Sequence, residues 1–172
     1  LAKWGGFAKK TLVVHANRLT EADVELLWRA DADVVHCPRS HAWFGHGGFD
    51  YDRLAKAGLN ISLGTDSLAS IGGDRETVAL DMFAEMQEFS QNHPNLACED
   101  ILQMATTNGA TAMRLENELG QIRGGFMANM TMIPFNGTLS EVPEMILHHS
   151  GSVEMLMIAG RRAFSRGDSI VD

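Results

Sequence analysis

The chain has little of what would make it a membrane segment, a disulfide-stapled domain or a nucleic-acid binder. No apolar run approaches the roughly 18 to 20 residues needed to span a bilayer. The opening stretch Leu1 to Lys10 lacks the apolar core of a signal peptide. Cysteine is scarce: Cys37 and Cys98 are the two present. They form neither a disulfide framework nor a zinc-ribbon spacing, so reduced thiols and a cytoplasmic setting are expected. Basic residues are also in deficit, with 14 Lys and Arg against 22 Asp and Glu for a formal net charge of −8. They are dispersed, Arg161–Arg162 being the tight pair of the second half, and phosphate binding needs clusters. No nucleic-acid partner and no membrane are expected. An initiator Met is lacking too: the chain opens on Leu1 with a buried-looking strand close behind, which reads as truncation.

What is there is a chain of 172 residues, 45% hydrophobic, long enough for one core of ordinary single-domain size. Thr11 to His15 is a short β-branched run, and Thr20 then opens a helical pattern through Arg29 as its N-cap. The alternation repeats. Ala32 to His36 reads as a strand, a Gly-rich loop runs through Gly48, and Asp50 to Ala57 reads as a helix stopped by Gly58. Asn60 to Leu63 is a third strand, followed by a loop from Gly64 to Arg75. Apolar residues at helical spacing predict a helix over Thr77 to Ser90, and another over Glu99 to about Thr107. Short strands separated by helices imply βα units with parallel pairing. After Gly120 the pattern changes to short strands and turns: Met130 to Ile133, a helix-like stretch from Leu139 to His149, Val153 to Ala159, a turn at Gly160, and Arg162 to Phe164.

The three βα strands each end in a group capable of acid–base or metal chemistry: His15, His36 and Asp66. In parallel α/β architectures functional side chains gather at the C-terminal ends of strands, so these three form a candidate site. A carboxylate there can ligate a divalent metal and take a proton from water, while a neutral imidazole orients the water or polarises a carbonyl. That chemistry is hydrolytic. Taken singly, such a His is more often a hydrogen-bonded structural residue and such an Asp the cap of the following turn, so the joint pattern carries the reading. His41 and His46 follow in the loop after His36 and face the same end of the sheet. His93 reads as a turn residue, His148 and His149 as the close of a helix, and Met82, Met86 and Met104 as core filler.

The segments His15-Ala-Asn-Arg-Leu19, His36-Cys-Pro-Arg-Ser40 and Leu63-Gly-Thr-Asp-Ser67 together resemble the amidohydrolase superfamily, in its branch of cytosine, guanine and adenosylhomocysteine deaminases and triazine chlorohydrolases. Met104 to Ala112 resembles the helix after the last barrel strand. Leu119-Gly-Gln-Ile122 with Gly124-Gly125 resembles the start of a returning β-domain, and Val153 to Arg162 its last hairpin. The resemblance implies strands six, seven and eight of a (β/α)₈ barrel over residues 1–118 and the C-terminal strands of a small β-sandwich, with a helix, over 119–172. It implies Asp66 as metal ligand and proton shuttle, and His15 as a contact to the attacking water or substrate oxygen. His36, Arg39, Ser40, His41 and Ser67 are implied to shape the substrate pocket. The implied cofactor is a divalent metal, zinc in preference to iron. The implied partners are a small heterocyclic substrate and either a second copy or the missing barrel half.

Three departures from the family pattern are visible. No His-x-His and no strand-borne His and Glu motif occur, and one carboxylate cannot hold a catalytic metal alone, so this chain by itself is expected to be inactive and not to retain the ion. His41 stands where many relatives have Asn. Ala128-Asn129 stands where the sandwich usually carries Ala-Asp. The expected function is therefore metal-dependent hydrolytic deamination of a purine- or pyrimidine-like molecule by a longer parent protein. The alternative is a non-catalytic binding or scaffold module of the same descent.

Overall fold

A computed structural model describes residues 10–73 and 78–166. The N-terminal stretch read for a signal peptide, apart from Lys10, lies outside the described residues. So do the loop end at Arg75 and the expected helix start at Thr77.

Three strands form a parallel sheet in sequence order: β1 (Leu12–Val14), β2 (Asp33–His36) and β3 (Asn60–Leu63). The register sets Val13 beside Val34 and Val34 beside Ile61, with His36 beside Leu63. Because side chains alternate across a pleat, Val13, Val34, His36, Ile61 and Leu63 share one face. That face packs on α1 (Glu21–Arg29), α3 (Tyr51–Lys56), α4 (Met82–Asn92) and α5 (Cys98–Ala105), around the fully buried Leu27, Leu54, Phe89, Ile101 and Met104. At their N-terminal ends the strands carry a polar cluster on the opposite face. Asn60 donates to Asp33 at 2.7 Å, and the guanidinium of Arg114 lies 2.6 Å from the other Asp33 oxygen, poorly aligned for a hydrogen bond, so that this contact is chiefly ionic.

Local chemistry explains most element boundaries. Thr20 caps α1 reciprocally: its hydroxyl accepts the Asp23 N–H at 3.2 Å, and the Asp23 carboxylate accepts the Thr20 N–H at 2.8 Å. Asp81 caps α4 through the Phe83 N–H at 2.8 Å, so the helix begins five residues later than apolar spacing predicts. The helix expected over Glu99 to about Thr107 is α5, which ends at Ala105; Thr106, whose hydroxyl bonds back to the Leu102 carbonyl at 2.6 Å, separates it from a further helix, α6 (Thr107–Ala112). The Gly-rich loop after His36 contains a helix, α2 (Pro38–Trp43), with Pro38 in its first turn.

The tail forms a separate antiparallel sheet of β4 (Met130–Met132), β5 (Met155–Ile158) and β6 (Arg161–Ser165). Ala159 and Gly160 both take positive φ, which suits the tight turn joining β5 and β6. Asn129 Oδ1 accepts the Ala159 N–H at 2.7 Å, a role an Asp oxygen could fill equally. The helix of this region, α7 (Val142–Leu147), packs back on α4 and α5. Leu147 is 1% exposed within the main core, and Gln87 donates to the His149 carbonyl at 2.8 Å.

Arg114→Ala should leave Asp33 buried without its counter-charge. The expected loss of unfolding free energy is about 3 kcal/mol, at the low end for a broken buried pair because Arg114 is a third exposed. Chemical denaturation of the two proteins measures it, and a loss below about 0.5 kcal/mol contradicts a structural role for the cluster.

Candidate active site

Asp66 leaves β3 through Gly64 and Thr65. A Cβ at Gly64 would meet Val35 Cγ1 at 2.8 Å, so only glycine lets the chain pass so close to β2. Asp66 itself sits at φ 56°, and His15, directly after β1, at φ 72° with Ala16 at 51°. Non-glycine residues in the left-handed region are uncommon, and their concentration after β1 and β3, the two strands that flank β2, marks the place where the backbone departs from strand geometry. The turn swings both side chains onto one another: His15 Nε2 lies 3.7 Å from Asp66 Oδ2.

A third group comes from α2. Ser40, 1% exposed, donates its hydroxyl to Asp66 Oδ2 at 2.7 Å. This hydrogen bond is the main reason the Asp66 carboxyl is held below the usual carboxylate range, with Ser70 and the neighbouring His15 acting in the same direction. The carboxylate is therefore ionised near neutrality. His15, Ser40, Phe44 and His46 line an open recess of about 270 Å³ beside it.

The other expected site residues lie elsewhere. His36 follows the parity of β2 onto the helix-packed face, 3% exposed, stacked on Phe49 at 3.8 Å and edge-on to Phe89 at 5.8 Å. Burial, reinforced by His41, His93 and His15, pushes its pKa down to about 3, so the ring is neutral. His36 and His41 border a second cleft of about 240 Å³ between α2 and α4, closed by His46, Phe49, Phe89 and His93. His41 spans two loops, pairing with Asn17 Oδ1 at 3.0 Å through Nδ1 and with the Gly47 carbonyl through Nε2. Arg39 turns away from Asp66, donating to the Ala79 carbonyl at 3.0 Å and facing Glu85 at 3.8 Å. Ser67 closes the short turn Leu68–Ser70 with the Ser70 hydroxyl at 3.0 Å.

Sequence reasoning passed over Glu85, Asn17 and Ser70. Glu85 carries a readable signal, since it sits on the apolar stripe of α4 between Met82 and Phe89, where a charge has no place unless it is partnered. Its side chain is 0% exposed.

As for a metal, no three His, Cys, Asp or Glu side chains converge to hold an ion among the described residues. Asp66, an ionised carboxylate at a strand end, has the chemistry of one ligand. The donor set fits one ligand of a divalent ion and not a complete site.

A parallel α/β unit with an ionised carboxylate and an imidazole gathered at its strand ends is the arrangement of a strand-end enzyme site. Residues 3–163 match the amidohydrolase family, and the chain belongs to that family. It is 34% identical over 170 residues to a 5-methylthioadenosine/S-adenosylhomocysteine deaminase of Thermococcus sibiricus, the match covering 91% of this chain and 38% of that protein. An adenosine deaminase from Xanthomonas campestris solved with bound zinc aligns with a TM-score of 0.82 at 26% identity, over 95% of this chain and 39% of that one. Helicobacter pylori aminofutalosine deaminase aligns with a TM-score of 0.72 at 30% identity, over 90% of this chain and 39% of that one. The chain thus spans about two-fifths of the length of the curated relatives it matches. Amidohydrolase folds cover it almost end to end.

The neutral, buried His36 makes stability depend on acid. The unfolded chain binds a proton at this residue below about 6.5 and the folded chain only near 3, so the unfolded state takes up more protons as pH falls through that window. Stability is lost accordingly, by up to about 1.4 kcal/mol per pH unit. His36→Phe should flatten this limb in thermal melts; an equal slope in both proteins contradicts the assignment.

Proposed function

We propose that this chain is the C-terminal part of a metal-dependent amidohydrolase that hydrolytically deaminates an adenosine-like purine, with Asp66 and His15 as its catalytic groups. The observation that carries the reading is the ionised Asp66 carboxylate, fixed by Ser40 and adjoined by His15, two residues that line an open recess. The names of the relatives, deaminases of 5-methylthioadenosine, S-adenosylhomocysteine and adenosine, supply the substrate class. On this reading β1, β2 and β3 are strands six, seven and eight of the barrel, residues 1–118 its C-terminal part, and 119–172 the sandwich portion. Leu12 and Val14 are 45% and 48% exposed at the β1 end of the sheet, which supports completion by further strands, from the rest of the parent protein or from a second copy. Both thiols are free, which suits a reducing cytoplasm.

Asp66 is the one ligand this chain would give to a divalent cation, zinc by preference, with the remaining ligands drawn from outside it. When bound, such an ion supplies Lewis acidity that brings the pKa of water toward neutrality. Asp66 accepts the proton of the attacking water, whose oxygen bonds to the ring carbon that bears the amino group. The same carboxyl then delivers that proton to the departing nitrogen while the second water proton passes to the ring nitrogen, so that the C–N bond breaks, a carbonyl forms and ammonia leaves. His15, on the same side as Asp66 Oδ2, orients the water and the developing oxygen. Phe44 and His46 put aromatic rings on the recess wall, which suits a flat heterocycle. His36, Arg39, His41 and Ser67 shape the pocket by holding its walls.

In the full-length parent protein, Asp66→Asn should lower kcat for ammonia release from adenosine or 5-methylthioadenosine by about a thousandfold. Elemental analysis of the unsubstituted protein should find near-stoichiometric zinc or iron. Neither ammonia nor metal in the unsubstituted protein would refute the enzyme reading in favour of the non-catalytic module.

A further inference from the structure

Helix α2 is too short to hold itself in place, and its own N-cap, Cys37, makes no side-chain capping bond. The missing cap arrives from α4. Glu85 Oε2 accepts the backbone N–H of Arg39 at 2.9 Å, in the first turn of α2. The guanidinium of the same residue faces Glu85 Oε1 at 3.8 Å and is tied at 3.0 Å to the Ala79 carbonyl just ahead of α4. One residue further on, Ser40 donates to Asp66. A carboxyl with no exposed side-chain surface is costly to keep in a core, and an apolar residue would pack there without that penalty. Its retention needs a partner that repays the burial, and the partner is the turn that carries Ser40.

We infer that Glu85 is a positioning residue for the reaction: by gripping the first turn of α2 it sets where the Ser40 hydroxyl stands, and through that hydroxyl the placement of the Asp66 carboxylate. The inference rests on the reading of Asp66 as the catalytic carboxylate. Glu85 reaches no substrate-facing recess itself and acts only through Arg39 and Ser40. Glutamine keeps an oxygen that can accept the Arg39 N–H, whereas leucine fills similar space without one, so the two substitutions separate the grip from the packing.

The experiment is a double-mutant cycle in the full-length parent protein. Glu85→Leu should lower kcat for ammonia release about tenfold with KM within about twofold, and Glu85→Gln should restore most of the loss. With Ser40→Ala already in place, Glu85→Leu should cost less than about twofold, because the route from Glu85 to Asp66 is already cut. Equal losses with and without Ser40, or a lowered melting temperature with kcat unchanged, would overturn the inference and leave Glu85 a purely structural cap. A crystal structure of the Glu85→Leu protein decides the geometry independently of activity. Ser40 Oγ is expected beyond about 3.5 Å from Asp66 Oδ2; retention of the 2.7 Å contact overturns the proposal. Should the unsubstituted parent release no ammonia, the deaminase reading fails while the crystallographic arm still decides the positioning.

Discussion

The parallel register of three short strands constrains everything else in this chain. With Val13, Val34 and Ile61 side by side, the pleat gives each strand one face toward the helices and one away from them. The helix face is apolar and sealed. The opposite face carries the Asp33, Asn60 and Arg114 cluster at one end and the exposed Leu12 and Val14 along β1. At the C-terminal ends the parity has to be broken for side chains to meet. His15 and Asp66 break it by entering the left-handed region, whereas His36 stays in register and is carried into the core. The strand that lies between the two therefore contributes to the site through α2, by Ser40, and not through its own terminal residue.

This division marks how far the site was legible in sequence. Strand ends bearing His, His and Asp, the helix caps at Thr20 and the βα alternation are local patterns, written in propensity and spacing, and they read correctly as elements. Conformation at single residues is not written that way. His and Asp enter the left-handed region more readily than most non-glycine residues, but that tendency does not tell which His or Asp does so, and without the observed positive φ two histidines at strand ends look alike. Parity counted along Ala32 to His36 would have placed His36 with Val34 on the apolar face. Helix α2 stayed hidden among glycines because its cap lies on α4, beyond the reach of any local rule.

Two carboxyl groups flank α2 and are driven in opposite directions by their surroundings. Asp66, 27% exposed, meets two residues of the recess wall, and the hydroxyl of one of them favours its charged form. Glu85 is enclosed, and burial pushes its pKa up to about 7 against the pull of the Arg39 N–H and guanidinium. Carboxyls split in this way can carry different duties near neutrality, one as a fixed charge and the other as a group close to its midpoint. The stability consequences of Glu85 and His36 have opposite sign. The folded state holds the Glu85 proton up to about 7 while the unfolded state releases it near 4.5, so rising pH across that interval costs stability. His36 gains it back over the overlapping range below 6.5.

The tail belongs to this arrangement by packing, even though its sheet stands apart. Helix α7 rests on α4 and α5 through the buried Leu147, and the residues just beyond it reach α4 directly. His149 lies edge-on to Phe83 at 4.8 Å and accepts the Gln87 amide at 2.8 Å. Phe83 and Gln87 bracket Glu85 on the same helix. The face of α4 that receives the tail and the residue that grips α2 are thus parts of one rigid element, and a rigid element can fix position without transmitting any signal. A six-residue helix needs contacts from other elements to be held steady. Anchoring α4 from behind by α7 while its carboxyl holds α2 in front is a physical reason for the chain to return to the first layer after β4, before completing its second sheet.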